Sequence, residues 1–114
     1  MLNMSDMIRG YTDTIILAQL LTHDSYGYEL NKNIHQATDG LLELKEATLY
    51  TTFRRLENGG YIKSYWGDEA TGARRRYYSI TETGRKLYEE NCLDWQTVKK
   101  VIDHLLLGES KDER

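Results

Sequence analysis

Three consecutive arginines, Arg74, Arg75 and Arg76, are the residues of this sequence that most directly suggest a chemistry. They begin a run rich in aromatic and β-branched residues, 74–80, which predicts a β-strand. Side chains alternate between the two faces of a strand, so Arg74 and Arg76 should share one face and Arg75 should lie on the other. Because a guanidinium pairs readily with phosphate oxygens, the triplet predicts contacts with a nucleic-acid backbone or its minor groove.

A second candidate set lies on a helix predicted at 46–58. Leu49, Phe53 and Leu56 recur at helical spacing and form its predicted core stripe. The opposite side carries five residues of small or basic type: Ala47, Thr48, Thr51, Arg54 and Arg55. Alanine and threonine allow close approach to thymine methyl groups, and arginine can bond guanine bidentately. The pattern fits either a DNA-reading face or an ordinary solvated helix face.

Charge is distributed unevenly along the chain, which has a net charge of −3 and a pI near 5.6. Between residues 45 and 79, seven basic residues stand against four acidic ones, a net charge of +3, so the rest of the chain carries −6. The overall acidity argues against indiscriminate nucleic-acid binding. The local excess instead predicts one DNA-facing segment on an acidic body.

Other kinds of chemistry find no support in the sequence. Cys92 is the single cysteine, and His23, His35 and His104 lack metal-ligand spacing relative to it or to one another. No nucleophile–base arrangement and no phosphate-binding glycine loop stands out. We therefore expect no enzyme activity, no metal site and no cofactor. The sequence shows no targeting segment and no membrane-length apolar run, so we expect a cytoplasmic protein without a membrane partner.

The order of the predicted elements is that of a winged helix-turn-helix, in an α+β, mostly helical fold class. Four helices and a hairpin are predicted in this order: helices at 5–21, 26–38 and 46–58, hairpin strands at 61–66 and 74–80, and a last helix between Thr81 and Gly108. Asp24 or Ser25 is the expected cap of the second helix. A short strand is also predicted at 42–44.

The last predicted helix carries an apolar seam that favours pairing with a second chain. Alternating steps of three and four residues connect Tyr88, Asn91, Trp95, Val98, Ile102 and Leu105, as in a coiled coil. The first helix has two apolar stripes, which fit either a dimer or a deeply buried helix in a monomer. We favour a homodimer whose interface includes Ile8, Ile15, Tyr88, Cys92, Val98, Ile102 and Leu105. Residues 1–80 then form the DNA-binding region, 81–108 the dimerisation helix and 109–114 a frayed tail.

Several motifs resemble those of the PadR family of bacterial transcriptional regulators. Residues 26–30 (YGYEL) resemble the element that opens the family's second helix. The recognition-helix signature is matched at 47–50 (ATLY), 55–57 (RLE) and 60–62 (GYI). The signature from wing to last helix is matched at 75–78 (RRYY), Ile80, Thr81 and Gly84. The matches cover about residues 14–84 in the right order, with Thr52 as a departure where many members carry alanine.

The resemblance implies a repressor-like homodimer that binds a double-stranded DNA operator and dimerises through its last helices. It adds Tyr28 and Tyr50, which lie in the matched motifs, to the DNA-binding residues. In some short members a tryptophan from each last helix lines a flat cavity that accepts planar aromatic compounds. Trp95 stands at the corresponding place and fits either this platform or a plain interface anchor. Three further residues would share the cavity: Tyr11, Ala18 and Lys99.

An alternative from another class is a winged helix that acts only as a protein-interaction module, without DNA binding. Such a module would not need both an arginine-bearing wing and an exposed helix face of threonines and arginines. We therefore expect a sequence-specific DNA-binding regulator.

Overall fold

The computed structural model describes residues 2–67 and 74–108. Its elements in chain order are α1 (Met4–Met7), a 3₁₀ helix (Arg9–Tyr11), α2 (Thr12–Gln19), β1 (Ser25–Tyr26), α3 (Gly27–Ala37), α4 (Glu46–Asn58), β2 (Ile62–Trp66), β3 (Arg76–Ile80) and α5 (Glu82–Leu107). This order confirms the mostly helical fold with a hairpin and a long last helix. The predicted hairpin loop, 67–72, lies outside the described residues except at Gly67, and the predicted tail, 109–114, lies outside them entirely. Within the described ranges, no helix is both long enough and apolar enough to cross a membrane.

The N-terminal region departs from the single helix predicted at 5–21. It forms α1, the 3₁₀ helix and α2 instead. α1 ends at Met7, because the next residue, Ile8, has a φ of −105° and a ψ of 13°, which are not helical. Gly10, a residue of low helix propensity, follows soon after. The Thr12 hydroxyl donates to the Arg9 carbonyl at 3.3 Å, where α2 begins. The prediction of one continuous helix is therefore wrong.

The segment predicted as a strand at 42–44 is irregular. Leu42 and Leu44 are buried, so their alternation with Glu43 reflects one apolar side. The Asn31 side chain replaces a neighbouring strand, because its amide donates to the Leu44 carbonyl at 2.7 Å and its oxygen accepts from the Leu44 N–H at 2.9 Å. The strand prediction is wrong because a side chain, not a second strand, satisfies this backbone.

The start of α3 also differs from the prediction, since neither Asp24 nor Ser25 caps it. Tyr26 occupies the N-cap position without a side-chain hydrogen bond. Ser25 belongs to β1, and its hydroxyl donates to the Glu29 carboxylate at 2.5 Å. The two-residue strand β1 gives no recognisable periodicity, so the sequence analysis did not find it.

The sheet has three antiparallel strands in the order β1-β3-β2. β2 and β3 form the predicted hairpin, which we call the wing. Its register places Ser64 opposite Tyr78 and Trp66 opposite Arg76. The wing therefore brings the arginine end of β3 beside the aromatic end of β2.

The core joins α4 to the sheet. Leu49, Phe53 and Leu56 are buried, as their helical spacing predicts. The Phe53 ring stacks on Tyr78 of β3, with 3.9 Å between centroids and 15° between planes. Because these contacts hold one side of α4 against the sheet, its opposite side faces solvent.

α5 is about 40 Å long, at ~1.5 Å per residue. As predicted, the Thr81 hydroxyl caps it by accepting from the Gly84 N–H at 3.0 Å, and it ends at a left-handed glycine with a φ of 67°. The helix passes close to the sheet at Gly84, where a Cβ would collide with the Tyr61 carbonyl oxygen. Further along, the Asn91 amide donates to the Thr14 hydroxyl at 2.9 Å, so the first half of α5 packs on α2.

Candidate nucleic-acid interface

The exposed face of α4 carries most of the side chains predicted to read bases. Ala47, Thr48, Thr51 and Arg54 are all exposed. Within the described residues, Arg54 has no hydrogen bond or ion pair. A groove of about 430 Å³ runs beside this face, between α4 and the N-terminal segment. The surface can approach base edges closely and offers one guanidinium to them.

Arg55 differs from the other residues of this set because it already has a partner. Its Nε donates to Oδ2 of Asp13 at 3.3 Å, and its Nη2 forms a second, shorter bond to Oδ1. The hydrogen bond to Asp13 raises the pKa of Arg55 above its usual value, and the carboxylate charge adds to this rise while burial opposes it. Arg55 therefore links α4 to α2, although its side chain stays exposed.

Tyr28 and Tyr50, which the motif resemblance added, flank the start of α3. Tyr28 is 73% exposed and Tyr50 is 45% exposed. The Tyr50 hydroxyl lies over Gly27, where a Cβ would come within 3.1 Å of it. Glycine at position 27 therefore lets a residue of α4 pack closely over the first turn of α3, and the two phenol rings remain available at the surface.

The wing arginines lie on aromatic rings, in the alternation that the strand predicts. The Arg74 and Arg76 guanidiniums are 5.3 and 5.9 Å from the centroid of Trp66. The Arg75 guanidinium is 4.8 Å from the centroid of Tyr26 in β1. Each distance is within the range of a cation–π interaction. The alternation of the arginines was predictable from the sequence, but their aromatic partners were not.

Arg76 also connects the wing to the end of α4. It donates to the Ser64 hydroxyl at 2.9 Å and lies 3.5 Å from the Glu57 carboxylate. The Ser64 hydroxyl donates in turn to Glu57 at 2.6 Å. Arg76 is therefore committed to an intramolecular network, unlike Arg74, which within the described residues has the Trp66 ring as its contact.

A concave surface of about 610 Å³ lies where the wing meets α3 and α4, and we call it the wing groove. Its lining includes five residues of the predicted DNA-binding set: Tyr28, Tyr50, Arg74, Arg75 and Arg76. Tyr26, Gly27 and Trp66 complete it. Phenol hydroxyls and guanidiniums are donors that suit phosphate oxygens.

Comparison with known proteins identifies the family. Residues 16–90 match the family described as the transcriptional regulator PadR-like family. The chain belongs to this PadR-like family. Because its members are transcriptional regulators, the chain is a DNA-binding regulator and not an enzyme. The interaction-module alternative loses its support.

Relatives of the PadR-like chain align with it over almost its whole length. A protein from Lysinibacillus sphaericus described as uncharacterized is 43% identical over 91% of this chain and 95% of its own. The structure of a transcriptional regulator from Clostridium thermocellum is 55% identical, covers 90% of this chain and 99% of its own, and superposes with a TM-score of 0.83. A PadR family transcription regulator from Clostridium difficile is 37% identical over 85% of this chain and 99% of its own, with a TM-score of 0.73.

The PadR-like chain has a second concave surface, away from the wing, which we call the aromatic cavity. It measures about 360 Å³ and lies between the N-terminal segment, α2 and α5. Its lining includes Tyr11, Ala18 and Trp95, three of the residues assigned to the predicted ligand cavity, and the Tyr11 and Trp95 rings meet edge to face at 5.1 Å. Four residues predicted for the dimer interface line it too: Ile8, Ile15, Tyr88 and Cys92. Lys99 is absent from this lining, and its ammonium lies 3.5 Å from Asp103.

The predicted seam of α5 divides into two halves. Its first half faces the same chain, since Asn91 bonds to Thr14 and Tyr88 packs against the core. A hydrogen bond with Cys92 also raises the pKa of Tyr88, and burial adds to that rise. In the second half, Val98, Ile102 and Leu105 are exposed. The neighbouring Val101, Leu106 and Leu107 are exposed as well, so the described chain leaves this end of α5 without an apolar partner.

Four residues that shape these surfaces were missed by the sequence analysis: Asp13, Tyr26, Glu57 and Trp66. Each acts through a contact with a residue far along the chain, so local patterns carry little sign of it. The position of Trp66 could have been found from the sequence, because an aromatic residue at the end of the first hairpin strand lies opposite the first residue of the second strand. This signal is useful only when the register of the two hairpin strands is known, and the predicted loop between them left that register undetermined.

Proposed function

We propose that this PadR-like regulator is a cytoplasmic homodimeric repressor, and that a planar aromatic ligand bound between its subunits releases it from a near-palindromic operator. The single observation that carries the proposal is the continuity between the aromatic cavity and the exposed apolar half of α5. A second copy of α5 laid on Val98, Ile102 and Leu105 would bury those side chains and close the cavity beside Trp95.

The operator contacts divide between α4 and the wing. Ala47, Thr48, Thr51 and Arg54 face the bases, because they form the exposed, unobstructed side of α4. Tyr28, Tyr50 and the wing arginines face the sugar–phosphate backbone from the wing groove. Two copies of α4 in a dimer require half-sites whose centres are separated by about 10 base pairs or a multiple of that.

The proposed ligand site consists of two aromatic cavities facing each other across the dimer axis. Tyr11 and Trp95 give each cavity a polarisable aromatic wall, and Ile8, Ile15 and Ala18 make the rest apolar. A planar aromatic compound can stack between the paired indoles of Trp95. The ligand weakens DNA binding only to the extent that it favours a spacing of the two α4 helices unlike that on the operator.

A binding titration tests the function. A fluorescently labelled duplex containing the DNA upstream of the protein's own gene is titrated with the protein, and a duplex of scrambled sequence is the control. We expect the native duplex to bind with two protomers per site and the scrambled one at least about a hundredfold more weakly. Equal affinity for both duplexes would contradict operator binding.

In a transcription assay from the same promoter, added protein should lower transcript yield, and pyrenesulfonate, whose negative charge disfavours DNA binding, should restore it.

A further inference from the structure

Trp66 is an exposed tryptophan that the core does not explain. It is the last residue of β2, pairs with Arg76 in the register and is 54% exposed. Two guanidiniums lie near its ring, that of Arg74 at 5.3 Å and that of Arg76 at 5.9 Å from the ring centroid. An indole is the strongest side-chain partner for a cation over its face.

The two arginines on this ring are held differently. Arg76 is fixed by the Ser64 hydroxyl at 2.9 Å and the Glu57 carboxylate at 3.5 Å, so its position follows α4. Arg74 precedes β3 and, within residues 2–67 and 74–108, forms neither a hydrogen bond nor an ion pair. Contact with a ring face orients Arg74 while its N–H donors remain available for an anion.

We infer that Trp66 is a positioning residue for DNA binding: its ring holds Arg74 towards a phosphate in the wing groove. An arginine side chain loses rotamer freedom when it binds a phosphate, and a ring that already restricts the side chain reduces that loss. The inference rests on the proposed function, in which Arg74 contacts the DNA backbone. It adds that the contact depends on Trp66, which itself does not touch DNA.

The test measures operator affinity across a salt series for the full-length protein and four variants. The slope of log affinity against log salt reports the number of phosphates neutralised, at about 0.9 per phosphate on duplex DNA. Arg74→Ala should reduce the magnitude of the slope by about 0.9. Trp66→Ala should reduce it in the same direction and weaken binding about two- to fivefold at physiological salt. Trp66→Phe should retain most of the slope. The double variant, Arg74→Ala with Trp66→Ala, should bind no more weakly than Arg74→Ala alone.

Tyr65→Phe is the matched control for disturbance of the wing. Tyr65 is adjacent to Trp66 on β2, points to the other face, and donates to Asp24 at 2.5 Å, so its loss perturbs the strand without removing the Trp66 ring. Thermal unfolding of each variant separates misfolding from lost positioning.

Three outcomes overturn the inference. An unchanged slope in Arg74→Ala would show that Arg74 does not contact a phosphate, and this would also contradict that part of the proposed function. A reduced slope in Arg74→Ala but not in Trp66→Ala would support the contact of Arg74 with a phosphate and would reject only the positioning role of Trp66. If the double variant is weaker than Arg74→Ala by the full effect of Trp66→Ala, then Trp66 acts on DNA binding independently of Arg74, and the positioning role is rejected.

Discussion

Asp13 and Arg55 connect the helix beside the aromatic cavity, α2, to α4, the helix that we propose faces the DNA. The Arg55 guanidinium bonds both oxygens of the Asp13 carboxylate, with 3.3 Å between Nε and Oδ2. The next residue, Thr14, lines the aromatic cavity and accepts a hydrogen bond from Asn91 of α5. A displacement of α2 caused by an occupant of the cavity would therefore act directly on a side chain of α4.

Replacing Asp13 with asparagine should loosen this connection and strengthen binding to DNA. The variant retains an acceptor for Arg55 but removes the negative charge, so stability should fall by only about 0.2–1 kcal/mol, as for other surface ion pairs. The released Arg55 should make operator affinity higher at low salt and its salt dependence steeper. Thermal unfolding and a salt series of DNA titrations measure the two effects.

Asp6→Asn is the control for Asp13→Asn. Asp6 pairs with Arg9 at 2.5 Å and lines the 430 Å³ groove beside α4, and among the described residues it has no hydrogen bond or ion pair with α4. If Asp6→Asn steepens the salt dependence as much as Asp13→Asn, net charge alone explains the result.

Ile102→Asp should shift the protein from dimer to monomer. Ile102 is 46% exposed in the single chain and lies in the apolar half of α5. A carboxylate at the centre of an apolar interface would be desolvated without a partner. Sedimentation velocity at micromolar concentration measures the shift. His104→Asp places the same group two residues later, about 200° around the helix, and should remain dimeric. A monomeric parent protein would refute the dimer.

Pyrenesulfonate should bind the aromatic cavity and quench the fluorescence of Trp95. The indole would stack on the planar ring system, with about 0.5–1.5 kcal/mol per contact beyond area burial. A fluorescence titration is made on the Trp66→Phe protein, so that Trp95 is the only tryptophan. Isothermal calorimetry on Trp95→Ala is the companion experiment and should show affinity lower by tenfold or more, which is about 1.4 kcal/mol. Unchanged affinity in Trp95→Ala would leave Trp95 as an interface anchor only.

Stability should fall in alkaline solution because folding raises the pKa of three tyrosines. The hydrogen bond to Asp24 raises the pKa of Tyr65, burial raises that of Tyr78, and the bond with Cys92 raises that of Tyr88. The unfolded chain ionises its tyrosines near pH 10, before these folded residues do. Their contribution is therefore complete below about pH 10 and is lost as pH rises through the folded pKa values.

Urea unfolding at about pH 9 and about pH 11 measures this loss. The Tyr65→Phe protein should lose less stability between the two conditions than the parent, since it no longer has the Asp24-linked hydroxyl. An identical loss in both proteins would show that Tyr65 has no part in the dependence.

The sequence predicted the elements whose signals are local. The spacing of Leu49, Phe53 and Leu56 located α4, and Thr81 with the terminal glycine gave both ends of α5. The errors arose where a distant group replaces the expected local partner. Asn31 satisfies the backbone of Leu44, and β1 is paired only with β3, which is far along the chain. The same reason hides the two ion pairs of α4, since Asp13 is 42 residues away from Arg55.

Gly84 has a consequence for how this regulator and its operator can evolve. The carbonyl oxygen of Tyr61 occupies the space that any larger residue at position 84 would need, so the direction in which α5 leaves the winged helix is fixed within each subunit. In a dimer joined by α5, that direction sets the distance between the two reading helices. Mutations on the α4 surface can then change the preferred bases one at a time, whereas the spacing of the half-sites is inherited with the backbone. The operators of such regulators should therefore change in base sequence before they change in the spacing between half-sites.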